Sequence, residues 1–166
     1  MPITKQHQQQ VVAIARQAGK AIMAIYDQDD VGVQSKQDGS PITLADRAAH
    51  QLIVDQLTSL FDWPVLSEEN DDLSVDTRGQ WSTLWVVDPL DGTKEFINRN
   101  GEFTVNIALV VNGEPRWGCI LIVATNEAYY GGKGLGAWYL AGDQRVDLGG
   151  RRVVKNSNIS SPLRVA

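Results

Sequence analysis

The dipeptide Asn112-Gly113 separates two apolar runs and constrains the fold of this 166-residue chain more than any other feature. The runs cover residues 104–111 and 116–123. Asn-Gly between two such runs is a strong hairpin signal, because both residues tolerate the left-handed backbone that a tight turn requires. Pro115 fits the start of the second strand, where its missing N–H is tolerated. The sequence therefore predicts an antiparallel pair here.

Other short apolar runs extend this pattern in both directions along the chain. Gly142-Asp143 and a glycine-rich loop at residues 131–136 supply further turns. The additional predicted strands cover residues 65–66, 84–87, 127–130, 137–140 and 145–148. Because most of these strands follow one another through turns, they predict a largely antiparallel sheet.

The first 60 residues predict two amphipathic helices, since apolar residues recur there at three- and four-residue steps. The stripe of the first helix is Val11, Ile14, Ala15, Ala18, Ile22 and Ile25. Residues 32–41 are polar and turn-rich and predict a loop. The second helix begins near Thr43, where Thr43 to Asp46 resembles a capping box with Asp in place of Glu, and runs to about Leu60. Its predicted inward residues are Ala45, Ala48, Ala49, Leu52, Ile53, Leu57 and Leu60. Two helices packed on such a sheet make residues 1–166 a single α+β domain.

Composition and charge exclude several classes of function. Fifteen basic and 20 acidic residues give a net charge of −5, and no basic run exceeds the pair Arg151-Arg152. A binder of nucleic-acid polymers needs a basic face, so that class is excluded. No apolar run approaches the roughly 20 residues that span a bilayer, and the lone Cys119 agrees with a cytoplasmic location. An acidic protein can still bind phosphates when divalent cations reverse the local field.

Two carboxylates, Asp88 and Asp91, follow a predicted apolar strand and can face one point beyond it. Carboxylates held close together repel unless a cation intervenes, and Mg²⁺ prefers such oxygen ligands. Gly92 and Thr93 begin a short predicted helix whose free N–H groups suit a phosphate. The alternative is an ordinary surface turn, with Asp91 capping the helix and Asp88 solvated.

Other acidic residues are ambiguous when taken singly. Glu68 and Glu69 close the predicted strand at residues 65–66, although an acidic pair is commonly part of a solvated loop. Asp46 is explained equally well as a cap that complements the helix dipole. The order of the three segments along the chain is the stronger signal.

Residues 88–93, Asp-Pro-Leu-Asp-Gly-Thr, resemble the signature of the inositol monophosphatase superfamily of lithium-sensitive, magnesium-dependent phosphatases. Residues 40–46 and 66–69 match the two preceding motifs of that superfamily in the right order. Residues 94–97 and 100–109 resemble more narrowly its bacterial 3′(2′),5′-bisphosphate nucleotidases. The resemblance implies the amino-terminal half of the superfamily's sugar-phosphatase fold.

The resemblance also implies a role for each matching residue. The implied metal ligands, for two or more Mg²⁺ ions, are Glu68, Asp88, the backbone carbonyl of Leu90, and Asp91. Thr93 with Asp46 would orient the attacking water and help to deprotonate it. Asp91 and the N–H groups of Gly92 and Thr93 would contact the substrate phosphate. Ser67 and Glu69 are not assigned a role, and Lys94 is a weak candidate for substrate discrimination.

The implied reaction is hydrolysis of the 3′-phosphate of a small nucleotide, adenosine 3′,5′-bisphosphate, to AMP, in sulfate assimilation. The alternatives are an inositol- or sugar-phosphate phosphatase of the same superfamily, or an inactive metal- or phosphate-binding fragment. Peripheral association with the inner membrane stays open. His50, on an ordinary amphipathic helix, and Cys119 are not assigned to a catalytic pair. The loose glycine motif at residues 132–137 leads into a strand, so it is not a dinucleotide fingerprint.

Members of the superfamily carry a second, α/β domain with a further metal-ligating aspartate, and no such motif occurs within these 166 residues. Residues 149–166 look like the approach to that domain. We therefore expect a weakened second metal site, a raised KM, and an exposed apolar surface that favours self-association.

Overall fold

Two capped helices form the amino-terminal layer of the computed structural model, which describes residues 3–36, 38–70 and 80–149. Helix α1 spans Lys5–Tyr26, and helix α2 spans Leu44–Leu60. Thr43 is the N-cap of α2 and forms the predicted capping box with Asp46. The capping box fixes the start of α2, because it satisfies N–H groups that have no partner inside the helix.

The predicted inward faces of the helices are largely confirmed, with corrections at their ends. Val11, Ile22 and Ile53 are fully buried, whereas Ile25 is only half-buried. Leu60 is 43% exposed, so the prediction that it faces inward is wrong. The helix ends there and Phe61, which is extended and buried, enters the core in its place.

A seven-stranded sheet forms the second layer, and its strands lie side by side in chain order. Among the strands that the structure describes, only the first pair is parallel, which confirms the predicted α+β class with a largely antiparallel sheet. The sheet strands are β3 (Val65–Ser67), β4 (Thr83–Asp91), β5 (Thr104–Val111), β6 (Glu114–Ile122), β7 (Glu127–Gly132), β8 (Gly136–Ala141) and β9 (Gln144–Asp147). Asn112 and Gly113 join β5 to β6 with φ values of 52° and 74°, as the hairpin prediction requires.

The predicted loop at residues 32–41 contains a small hairpin of its own. Strands β1 (Gln34–Ser35) and β2 (Pro41–Ile42) pair antiparallel as a separate two-stranded sheet. The pairing spans only two residues on each side, too few to leave a periodic pattern in the sequence.

Strand β4 also runs further than predicted, through Asp88 to Asp91. Asp88 pairs with Asn106 and Asp91 with Thr104, so β4 carries one extra residue between the two pairs. This irregularity is a β-bulge, and Pro89 lies within it, where no ladder N–H is required. The five-residue helix α3 (Thr93–Ile97) follows at once, as predicted.

The core lies between the helices and one face of the sheet. Trp85, Leu109 and Leu121 are fully buried on that face. The opposite face forms an open groove of about 1210 Å³, whose lining includes Val86, Ile120 and Tyr129. Ile120 is 49% exposed there.

No helix among the described residues is long and apolar enough to cross a membrane. The predicted approach to a second domain, with Arg151-Arg152, lies outside the described residues from position 150 onward. Self-association through the exposed apolar face stays a prediction.

Candidate active site

The candidate site begins where parallel strands β3 and β4 end beside each other. Ser67 pairs with Val87, and the Glu68 N–H donates to the Val87 carbonyl at 3.0 Å. Because the carboxyl ends of parallel strands meet at the same edge, this pairing brings Glu68 and Asp88 together. The side chain of Glu68 is 56% exposed, so it faces open solvent at the head of the groove.

Asp88 has the most perturbed carboxyl of the site. Burial, the negative charges of Glu68 and Asp91, and a hydrogen bond to Glu68 together raise the pKa of Asp88 to about 7. The Leu90 N–H donates to Asp88 Oδ1 at 3.2 Å, and this hydrogen bond lowers the pKa of Asp88. Negative charges that raise the pKa of a neighbouring carboxyl in this way form an environment that attracts a cation.

Asp91 lies beyond the bulge and is held by the neighbouring strand. The Asn106 side-chain amide donates to Asp91 Oδ2 at 3.1 Å, and the Thr104 hydroxyl donates to Asn106 Oδ1 at 3.3 Å. Asp91 itself is exposed, and its negative charge acts on Asp88. The bulge thus gives two carboxylates of one strand, Asp88 and Asp91, access to a common region.

Gly92 turns the chain from β4 into α3. Its φ of 91° and ψ of 42° are left-handed, a conformation that costs residues with a Cβ. A Cβ at this position would lie 2.9 Å from the Glu102 carbonyl oxygen, so the chain also passes too close for any side chain. Gly92 is therefore required both by backbone conformation and by space.

Asp46 connects helix α2 to this turn. Its Oδ2 accepts hydrogen bonds from the Thr43 N–H at 2.7 Å and the Thr43 hydroxyl at 2.5 Å. Its Oδ1 accepts from the Thr93 hydroxyl at 3.1 Å, while the Leu90 carbonyl lies 3.3 Å from the same hydroxyl. Asp46 is 1% exposed. Asp46 therefore fits both interpretations of the sequence, as a helix cap and as the partner of Thr93. It caps the helix with one carboxylate oxygen and contacts Thr93 with the other.

Lys36 and Glu69 complete the acidic end of the site, and the sequence reasoning assigned neither of them a role. The Lys36 ammonium donates to Glu69 Oε1 at 2.7 Å and to Glu68 Oε1 at 3.3 Å. Partial burial disfavours the charged ammonium, yet Glu69 and Glu68 raise the pKa of Lys36 above its ordinary value. Burial raises the pKa of the Glu69 carboxyl, and Lys36 opposes that shift. A lone lysine in a polar loop carries no signal that could have predicted this pairing.

His50 is also closer to the site than the sequence indicated. It lies one helical turn beyond Asp46 on α2, and its Nδ1 is 2.8 Å from the hydroxyl oxygen of buried Ser67. The four-residue spacing from Asp46 was the available signal, since residues i and i+4 share one helix face. His50 does lie on an amphipathic helix, as predicted, and its contact with Ser67 is an addition that the sequence reasoning did not make.

The profile of the inositol monophosphatase family matches residues 4–165.

The chain belongs to the inositol monophosphatase family.

Individual relatives point to one branch of this family. The chain is 46% identical over 158 residues to the 3′(2′),5′-bisphosphate nucleotidase CysQ of Shigella flexneri, a match that covers 94% of this chain and 61% of the relative. The same identity and coverage hold for the CysQ protein of Escherichia coli K12. The chain thus spans about three fifths of the length of these curated relatives.

Solved structures of family members share the fold. The structure of CysQ from Bacteroides thetaiotaomicron superimposes with a TM-score of 0.72 at 43% identity, covering 86% of this chain and 54% of that one. SuhB from Bartonella henselae gives a TM-score of 0.72 at 28% identity, covering 87% of this chain and 55% of that one.

Members of the inositol monophosphatase family are generally metal-dependent phosphatases, so the site can be tested for its fit to a divalent cation. The donor set suits a hard cation, because it consists of carboxylate and backbone carbonyl oxygens. Burial and the negative charges of Glu68 and Asp91 raise the pKa of Asp88, and the Lys36 ammonium on Glu68 supplies a positive charge at one side. Within the described ranges, no three His, Cys, Asp or Glu side chains form a closed metal cage.

Proposed function

We propose that this chain carries the metal-binding half of a Mg²⁺-dependent phosphatase that removes the 3′-phosphate of adenosine 3′,5′-bisphosphate, giving AMP and phosphate. The juxtaposition of Glu68 and Asp88 at the ends of two parallel strands carries this proposal. The name and 46% identity of the CysQ relatives support the choice of substrate.

Oxygen atoms on two sides of the bulge would hold the cation. The proposed ligands are the carboxylates of Glu68, Asp88 and Asp91 and the backbone carbonyl of Leu90. A bound Mg²⁺ supplies positive charge that polarises a phosphoryl oxygen and lowers the pKa of a bound water. The Asn106 amide would keep one Asp91 oxygen occupied, which leaves the other free to face the cation.

Thr93 and Asp46 would form the proton-accepting pair. The Thr93 hydroxyl donates its own proton to Asp46 Oδ1, so its oxygen lone pairs are free to accept a hydrogen bond from the attacking water. Asp46 is buried and already held by Thr43, which fixes the direction of the Thr93 hydroxyl. The pair can therefore orient a water and assist removal of its proton.

The turn at Gly92 would receive the phosphate. The absence of a side chain lets the backbone of Gly92 and Thr93 approach a phosphoryl group closely, and their N–H groups would donate to its oxygens. Asp91 would contact the same group through the cation.

A second candidate is an inositol- or sugar-phosphate phosphatase, because the family to which the chain belongs is the inositol monophosphatase family. The higher identity to the nucleotidases favours the nucleotide. The Asp88–Glu68 site would be common to both enzymes, so a panel of substrates separates them.

The experiment is Mg²⁺-dependent phosphate release from adenosine 3′,5′-bisphosphate and inositol 1-phosphate by the 166-residue chain. Asp91→Asn removes a proposed ligand, and Asp143→Asn, on the exposed turn between β8 and β9, is the matched control. We expect release from the nucleotide that Asp91→Asn abolishes and Asp143→Asn leaves unchanged. Release that survives Asp91→Asn would contradict the proposed site, and preference for inositol 1-phosphate would contradict the substrate.

A further inference from the structure

The turn that presents Glu68 is anchored from three directions. Its start is closed by a hydrogen bond from the Asn70 N–H to the Ser67 carbonyl at 3.1 Å. Lys36 holds the carboxylates of Glu68 and Glu69 from the turn between β1 and β2. The third anchor is the contact between His50 Nδ1 and the Ser67 hydroxyl at 2.8 Å.

The Ser67 hydroxyl has two hydrogen-bond partners, His50 and the backbone N–H of Glu69. The Glu69 N–H donates to Ser67 Oγ at 3.4 Å, which leaves the hydroxyl proton free to be donated to His50 Nδ1. For Nδ1 to accept this hydrogen bond, the His50 imidazole must be the tautomer with its proton on Nε2, an assignment made from the hydrogen-bond network. Ser67 is only 3% exposed, so no bulk water replaces His50 as its partner.

The same helix face holds both halves of the site. Asp46 reaches the Thr93 hydroxyl after β4, and His50, four residues later, reaches Ser67 at the end of β3. Side chains four residues apart on a helix lie about one turn apart on one face. Helix α2 therefore sets the distance between the segment that carries Glu68 and the segment that carries Thr93.

We propose that His50 is a positioning residue that acts through Ser67 to hold Glu68 in place and thereby sets the affinity of the site for Mg²⁺. The inference rests on the proposed function, since it requires Glu68 to be a cation ligand. The Glu68 side chain is largely exposed and contacts only the flexible end of Lys36 and the carboxyl of Asp88 among the contacts described above, so the position of its backbone depends on the anchors of the turn. Loss of a residue that orients a ligand typically weakens metal affinity by about 10–100-fold.

The test measures cation binding without catalysis. The probe is Mg²⁺ alone, and the readout is the rise of the thermal unfolding midpoint with Mg²⁺ concentration, from which an apparent Kd follows for each variant. Because every variant is compared with its own metal-free midpoint, a purely structural loss lowers both values and leaves the Kd unchanged.

His50→Ala and Ser67→Ala should each raise the apparent Kd by roughly tenfold, and the double variant should raise it no further. His50→Asn places an acceptor oxygen near the position of Nδ1 and should restore an affinity close to that of the parent. Gln51→Ala, at an exposed neighbour on α2, is the matched control and should leave the Kd unchanged.

Two results would overturn the inference. One is an unchanged Kd for His50→Ala, and the other is additive losses for His50→Ala and Ser67→Ala. Asp88→Asn tells the two proposals apart. If it abolishes the Mg²⁺ response while His50→Ala does not change it, only the role of His50 fails. If Asp88→Asn also retains the parent's response, the proposed metal site fails and the role of His50 fails with it.

Discussion

Replacement of Gly92 by alanine tests whether the turn before α3 is as tightly built as the structure shows. Its φ of 91° lies in the left-handed region, which costs a residue with a Cβ about 1–2 kcal/mol. The new Cβ would also lie 2.9 Å from the Glu102 carbonyl oxygen and 3.3 Å from Phe103 Cα. Both neighbours are backbone atoms and cannot rotate away, so overpacking should add about 1–3 kcal/mol.

Gly113→Ala separates these two costs. Gly113 has a φ of 74°, also left-handed, but a Cβ there meets nothing within 4 Å. The alanine at this hairpin turn should therefore cost only the conformational part, about 1–2 kcal/mol. Gly92→Ala should lower the free energy of unfolding by a further amount of about 1–3 kcal/mol.

The assay is urea unfolding of the parent and both variants, followed by tryptophan fluorescence and analysed for the free energy of unfolding and the slope m. An unchanged m would show that the variants differ from the parent in stability and not in the surface exposed on unfolding. Equal losses for the two variants, within about 0.5 kcal/mol, would refute the close approach of Glu102 to Gly92.

Two further predictions concern charge and surface. In the metal-free protein the pKa of Asp88 is raised from 3.8 to about 7. The native state therefore holds its proton more tightly, and the resulting stability, present below pH 4, should be lost as the pH rises to about 7. Urea titrations in EDTA should show this decline in the parent and a flatter profile in Asp88→Asn, and identical profiles would contradict the raised pKa. The exposed apolar groove should drive self-association, so Ile120→Lys should lower the apparent mass in sedimentation. Val146→Lys, at an exposed valine that does not line the groove, should leave the apparent mass unchanged. A parent protein that is monomeric at high concentration would contradict the prediction.

Much of the fold could be predicted because its signals are local. The hairpin at Asn112-Gly113 depends on two residues that accept positive φ, and the structure has both of them in that conformation. Thr43 and Asp46 close a capping box within four residues. The motif at residues 88–93 identified the family, and the match of the family profile to residues 4–165 confirms that identification.

The bulge in β4 is a different case, because its cause lies on another strand. The sequence predicted that the strand would end at Val87, yet pairing with β5 carries it on to Asp91. Nothing in residues 84–91 alone shows that Asn106 and Thr104 would offer partners. The register of a strand is decided by its neighbour, so the proximity that lets the Asp91 charge act on Asp88 is a tertiary property.

The sequence by itself determined the two long helices, the strands of the large sheet and the class of fold, since these depend on periodicity and turn residues. The proposed ligands came from the resemblance of its short motifs to those of the family. Only the tertiary structure decided which side chains meet. Ser67 reaches His50 across 17 positions, and Lys36 reaches Glu69 across 33. Each of these contacts needs the helices to pack on the sheet, because hydrogen bonds and ion pairs between distant residues form only after packing has brought their backbones together.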